Sequence, residues 1–352
     1  MSQMLELSTR LFAEIAEATR DTQGVTREAF GAGEETALRI LEAEAQKLGL
    51  HSERDALQNL WLRLPEDDGQ GACTLIGSHV DSVPQGGNFD GLAGVVAGVA
   101  VLDEIRRRGL KPPRPVRVLA MRAEESAWYG KAYIGSLALF GQLGETELAA
   151  KHRSGQGTLA EAMAAAGVNM DLVRAGQSQI GTHNVAAYLE LHIEQGPVMV
   201  AREWPVAVVS GIRGNIRHNQ IRCLGETGHS GAVPRWLRKD AVLAVADELP
   251  ALERIVIVKM GMDMVMTSGI CTTPPKSHAV SVIPGEMNFS FEVRSQDAET
   301  MDRFYTLMRE ECAAIEQARG VRFEFDRKVV TAPASLDAGW CETLRRCAGQ
   351  RG

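Results

Sequence analysis

The sequence has no basic stripe: 38 Lys and Arg stand against 45 Asp and Glu, a formal net charge of -7 at pH 7. Binding nucleic acid through bulk charge is thereby excluded, because displacing counterions from phosphate requires a concentrated basic surface. The N-terminal segment lacks an uninterrupted apolar core, being broken by Glu6, Glu14 and Glu17. Neither a signal peptide nor a membrane span is expected there. The six cysteines (Cys73, Cys223, Cys271, Cys312, Cys341 and Cys347) include no close C-x-x-C pair, and a chain of 352 residues does not need disulfide staples. A reducing cytoplasm is the expected location. Internal repeats, low-complexity tracts and long disordered linkers are also missing. What remains is a hydrophobic fraction of 45%, ordinary for a globular protein. The length exceeds what one core usually supports, so two domains are expected.

Apolar residues recur at helical spacing over 4–20 (Leu7, Leu11, Ile15) and 34–48 (Leu38, Leu41, Leu48). Residues 59–64 alternate with Leu60, Leu62 and Leu64 on one side, and 73–76 form a short apolar run, both read as strands. A small-residue helix over 91–110 and a strand over 115–121 follow. Strand, helix, strand predicts a βαβ crossover in a mainly parallel sheet, whose ligands bind beyond the carboxyl ends of the strands. From about 213 the texture changes. Strands are predicted near 216–225, 256–260, 287–293 and 321–330, with helices over 240–252 and 298–317. That pattern indicates a compact α+β domain inserted in the first.

The chemistry-bearing residues fall at the predicted strand ends. His79 and Asp81 form an H-x-D after the 73–76 strand, and Asp90 sits in a G-G-N-F-D-G turn whose glycines let backbone approach an ion. His79 alone would read as structural; with Asp90 it reads as a metal ligand, and Asp81 as the acceptor that fixes its tautomer. Glu124 and Glu125 follow a buried strand. Two adjacent carboxylates there repel each other and are costly near an apolar interior unless a cation compensates them. Glu125 is the candidate ligand and Glu124 the candidate general base, taking a proton from water and passing it to a leaving nitrogen. His192 lies in an alternating Y-L-E-L-H-I-E-Q-G run and completes the imidazole and carboxylate set; Gln195 suits a ureido or amide group. Further on, His229 lies in G-E-T-G-H-S-G and Arg294 in F-E-V-R-S. A guanidinium fork matches a carboxylate, and an imidazole adds a donor. The G-H-S-G is no nucleophile elbow, since Ala232 stands where glycine is required.

Taken together, the G-S-H-V-D-S-V-P-Q-G-G-N-F-D-G run (77–91), the Glu pair, L-H-I-E-Q-G-P (191–197), G-E-T-G-H-S-G (225–231) and V-I-P-G-E (282–286) occur in an ordered series. On these motifs the chain, from about residue 5 to its end, resembles the amidase, hydantoinase/carbamoylase family of the aminoacylase-like metallopeptidase superfamily. The family includes N-carbamoyl-L-amino-acid hydrolases, allantoate amidohydrolases and β-ureidopropionases. The resemblance implies two divalent ions (Zn²⁺ or Mn²⁺, with Co²⁺ as a further candidate), bridged by Asp90, with His79 and His192 on one and Glu125 on the other. It also implies a homodimer in which His229 reaches the partner's active site while Arg294 binds the substrate carboxylate. Three departures accompany it. Ser281 stands where an asparagine usually helps bind substrate, and Leu137 follows Gly135 and Ser136 where an arginine is common. The family's last metal ligand is a histidine near the C-terminus, and no histidine follows Arg294. The resemblance therefore implies a closing segment beyond this sequence.

The expected fold is α/β: a mainly parallel-sheet di-metal hydrolase domain (1–212 plus 328–352) with an inserted α+β, ferredoxin-like lid and dimerisation domain (213–327). The expected activity is hydrolysis of a non-peptide C–N bond in a small ureido acid, foremost an N-carbamoyl-L-amino acid, to amino acid, CO₂ and NH₃. Allantoate hydrolysis is the near alternative, N-acyl or dipeptide hydrolysis a more distant one, and a non-catalytic dimeric binding protein of the same fold a different class. The expected catalytic residues are Glu124 and Asp81, and the expected substrate residues Gln195, His229, Arg294 and Ser281. A small ureido or amide molecule is the expected partner, with no nucleic acid and no membrane.

Overall fold

Apolar periodicity builds the first elements of the computed structural model, which describes residues 3–181, 184–256 and 263–350. Leu7, Leu11 and Ile15 line one face of α1 (Gln3–Ala18), and Leu38, Leu41 and Ala45 one face of α2 (Ala32–Lys47). There follow β1 (His51–Arg54), β2 (Leu60–Arg63), β3 (Cys73–His79), α3 (Leu92–Arg107) and β4 (Val116–Met121). Four short helices, α4 (Ile134–Leu139), α5 (Glu145–Leu148), α6 (Leu159–Ala165) and α7 (Met170–Arg174), precede β5 (Val185–Leu189) and α8 (Val198–Ala201).

The sheet runs β1-β2-β4-β3-β5. β3 pairs parallel with both β4 and β5, as the crossover through α3 requires, whereas β1, β2 and β4 pair antiparallel. The expectation of a mainly parallel sheet is thus corrected to a mixed one. The chain between β1 and β2 is short enough only for an antiparallel return. From Val118 to Met121, β4 reads as an unbroken apolar run because both its faces are covered there. Val118 and Ala120 join the core under α1, α2 and α3, while Leu119 joins the core under α4 to α7.

The chain divides into two compact units, Met1–Ala201 and Arg202–Gly352. The second contains β6 (Gly211–Ile212), β7 (Gly214–Leu224), β8 (Gly228–His229), α9 (Ala241–Ile255), β9 (Val265–Thr267), β10 (Cys271–Thr272), β11 (Val282–Ile283) and β12 (Glu286–Ser295). It ends with α10 (Ala298–Arg319), β13 (Arg322–Phe325), β14 (Val329–Thr331), β15 (Ala334–Ser335) and α11 (Ala338–Gly349). Asp240 and Asp297 cap α9 and α10 by accepting backbone N–H bonds in the first turn. One core joins Ile216, Cys223, Phe289, Phe291 and Val293 of the sheet to Ala244, Leu252, Phe304 and Met308 of the two helices.

Two expectations change here. The strand predicted over 321–330 is two, β13 and β14, both on β7 but separated where Asp326 turns to accept the N–H of Gln220. Residues 328–352, expected with the first domain, lie in the second unit, where β14 pairs with β7 and β15 with β6. Of the strand predicted over 256–260, Val256 caps α9 and the rest lies outside the described residues. Among the described residues no helix is long and apolar enough to cross a membrane.

Candidate metal centre

Because β3 and β4 are parallel neighbours, with His79 opposite Met121, their carboxyl ends open side by side. His79 closes β3, and Glu124 and Glu125 lie just beyond β4. Asp81, fully buried, ties the two ends together. Its Oδ1 accepts the N–H of Glu124 and its Oδ2 that of Glu125, each at 2.9 Å. The expected partner of the Asp81 carboxylate was the His79 ring. His79 Nδ1 instead lies nearer the Asp81 peptide oxygen, 3.1 Å, than its carboxylate, 3.4 Å. The carboxylate is committed to holding the Glu124–Glu125 turn, and the peptide oxygen takes over as ring acceptor.

His79, Asp90 and His192 place one ligand atom each within 4.8 Å of one another. His192 Nδ1 meets the Ile193 carbonyl at 2.8 Å, as His79 Nδ1 meets that of Asp81. A carbonyl accepts only, so each Nδ1 carries a hydrogen and each Nε2 is turned inward. Both Nε2 atoms face the same oxygen, Asp90 Oδ1, at 3.7 Å from His79 and 3.3 Å from His192. That oxygen is buried and makes no hydrogen bond. Lone pairs converging on a carboxylate oxygen require a proton or a cation among them. Two imidazoles and a carboxylate fit a divalent ion such as zinc or manganese. Burial opposes a charge on His79, but Asp81 and Asp90 outweigh it and raise its pKa to about 11. A proton and a cation therefore compete for the same position. The His79 ring beside Asp90 holds that carboxyl below the usual carboxylate range.

A second group joins His79 to Glu124 and Glu125. Burial raises the Glu124 pKa, with His79 opposing; Glu125 is pushed up to about 7 by burial and then by the charge of Glu124. The expected sharing had Asp90 bridging towards Glu125, whereas this group gathers Glu125 with His79 and Glu124.

One expectation about the 190–196 segment is corrected. β5 ends at Leu189, and Leu191 and Ile193 are 52% and 38% exposed, so His192 stands in an irregular segment beyond the strand. Gln195, expected on a ureido group, donates from Nε2 to Asp90 Oδ2 at 2.6 Å. Its backbone is left-handed, φ 56°, a costly conformation for a side-chain-bearing residue. The bond leaves Asp90 Oδ1 turned to the imidazoles.

The turn also depends on residues that carry no motif. Arg27 is buried and donates from Nε to the Val80 carbonyl at 2.6 Å. Buried Glu34 pairs with Arg122 at 2.6 Å and accepts the N–H of Ala123, itself left-handed at φ 54°. The sequence signal for these was weak: a lone arginine just before the Glu pair. Gly91 is needed twice over. Its φ is 63°, and a Cβ there would lie 2.5 Å from the His79 ring. Gly91→Ala is expected to cost about 2–5 kcal/mol, combining left-handed strain with overpacking, and to lower metal affinity. Unchanged stability and ion content, measured by denaturant titration and elemental analysis, would contradict the close approach.

In the second unit, β8 pairs with β11, so His229 faces Val282, and the Ser230 N–H donates to the Ser281 carbonyl at 2.9 Å. His229 and Ser281 thus share one short ribbon. His229 Nδ1 accepts the Gly231 N–H at 3.1 Å, so its Nε2 carries the hydrogen and the exposed ring offers a donor. Arg294 lies on β12, its Nε 3.0 Å from Glu292 Oε2.

The model of Peptidase family M20/M25/M40 matches residues 75–352, which include His79, Asp90, the Glu pair and His192. The chain belongs to the M20/M25/M40 family. It is 33% identical over 329 residues to an N-carbamoyl-L-amino acid amidohydrolase of Geobacillus stearothermophilus, spanning 94% of this chain and 78% of that one. It is 28% identical over 297 residues to an allantoate amidohydrolase of Escherichia coli, spanning 84% of this chain and 70% of that protein. Its fold is similar to the crystal structure of a hydantoinase/carbamoylase family amidase from Burkholderia ambifaria. The TM-score is 0.85 at 29% identity, covering 98% of this chain and 84% of that one.

Proposed function

We propose that this M20/M25/M40 member is a metal-dependent amidohydrolase of small ureido acids, with N-carbamoyl-L-amino acids as substrates. The observation that carries the reading is the convergence of His79 and His192 Nε2 on the buried, unpartnered Asp90 Oδ1, beside two carboxyls whose pKa values are raised. His79, Asp90 and His192 would hold one ion, and Glu125, which gathers with His79 and Glu124, would help hold the other. When bound, divalent ions supply Lewis acidity and lower the pKa of a nearby water towards about 7.

Within this frame the chain's own groups have distinct tasks. Glu124 takes the proton of the attacking water and delivers it to the leaving nitrogen. Asp81 keeps Glu124 and Glu125 at the mouth of the sheet, and Gln195 steadies Asp90. His229 Nε2–H is suited to a carbonyl oxygen, Ser281 to the ureido group and Arg294 to the substrate carboxylate. The water oxygen joins the ureido carbon as the C–N bond to the amino acid breaks; the carbamate released then separates into CO₂ and NH₃. The second unit serves as lid and dimerisation domain, with His229 acting across a homodimer. Six free cysteines accord with a cytoplasmic setting.

The similarity to an allantoate amidohydrolase supports one rival substrate. Ammonia and free-amine release from N-carbamoyl-L-amino acids, allantoate and N-acyl amino acids, with Zn²⁺ or Mn²⁺ supplied, separates them. Highest kcat/KM with N-carbamoyl-L-amino acids is expected. Preference for allantoate would replace the substrate, and turnover confined to N-acyl amino acids would overturn the ureido reading.

A further inference from the structure

Carboxylate recognition by Arg294 alone meets an obstacle in the second unit. Glu292 grips the same guanidinium twice, Oε2 to Nε at 3.0 Å and Oε1 to Nη2 at 3.1 Å. That edge is the one a ligand carboxylate would use bidentately. An incoming anion would also meet the negative charge of Glu292.

The sheet register shows what offsets it. β7 and β12 pair antiparallel with Arg217 directly opposite Glu292 and Asn215 opposite Arg294. The intervening Ile216, His218, Phe291 and Val293 are buried on the helix-covered face, so Arg217, Glu292 and Arg294 share the other. Residues opposite each other across such a pair have Cβ atoms about 4.5–5.5 Å apart, and diagonal neighbours remain within reach of long side chains. Arg217 is exposed, and among the described residues it makes no ion pair or side-chain hydrogen bond. Two guanidinium groups and one carboxylate leave one positive charge uncompensated, which matches one carboxylate of a ligand.

We propose that Arg217 is a second substrate-binding arginine, engaging the carboxylate of a small ureido acid together with Arg294 while Glu292 orients Arg294. The inference rests on the ureido-acid reading above. It makes the free carboxylate a requirement of specificity, set by a residue that no motif contained.

The test compares full-chain wild type, Arg217→Gln and Arg217→Lys on an N-carbamoyl amino acid and on its neutral carboxamide. Losing a hydrogen-bonded charge is expected to raise KM for the acid about 10- to 100-fold in Arg217→Gln, with kcat nearly unchanged. The carboxamide, poor with wild type, should barely respond, and Arg217→Lys should recover part of the acid's KM through its charge. An unchanged acid KM, equal shifts for acid and carboxamide, or a loss confined to kcat would each overturn the proposal. If wild type turns over no ureido acid at all, the parent reading fails and this one with it.

Discussion

Glu124→Gln is expected to retain the ions and lose kcat by about 10²- to 10⁴-fold, the range for a positioned general base. Glutamine keeps the shape and hydrogen-bonding oxygen but cannot take a proton. The Asp81 carboxylate accepts from the backbone N–H groups of Glu124 and Glu125 and not from their side chains, so the turn should survive the change. Kinetics and elemental analysis on the same preparation decide the matter. Glu124 and Glu125 both gather on His79, so ion content and rate together divide their tasks. Loss of an ion with an unchanged rate per remaining ion would exchange the two roles.

Asp90→Ala is expected to abolish both metal retention and turnover. Asp90 Oδ1 is the oxygen that both Nε2 atoms face, and without it two imidazoles meet with no compensating charge. Changing a group that only hydrogen-bonds to a metal ligand typically costs about 10- to 100-fold in affinity; removal of the shared carboxylate should exceed that. Gln195→Ala, which removes only the bond to Oδ2, should fall within that milder range. Isothermal titration with Zn²⁺ reads both, and near-native affinity in Asp90→Ala would remove Asp90 from the centre.

The strand ends that carry His79 and the Glu pair were legible because a buried parallel strand is a bounded apolar run, and polar residues immediately after it have few other reasons to be there. The helical faces of α1, α2 and α3 were legible for the same periodic reason. What escaped was long-range. Arg27 and Glu34 meet the β3 and β4 ends across more than fifty residues, and no spacing encodes such a contact. The antiparallel β1–β2 side of the sheet has no helix between its strands and was absorbed into the parallel expectation. His192 looked like a strand residue because Leu189, Leu191 and Ile193 alternate, yet the strand stops at Leu189. Arg217 was invisible until the β7–β12 register set it opposite Glu292. A surface arginine acquires meaning only from the strand beside it.

The most direct test of the central claim is ammonia release from an N-carbamoyl-L-amino acid by chelator-treated protein, followed as Zn²⁺ or Mn²⁺ is returned and bound metal is counted. Turnover should be absent without metal and recover in step with ion uptake. Undiminished ammonia release from metal-free protein would contradict the account.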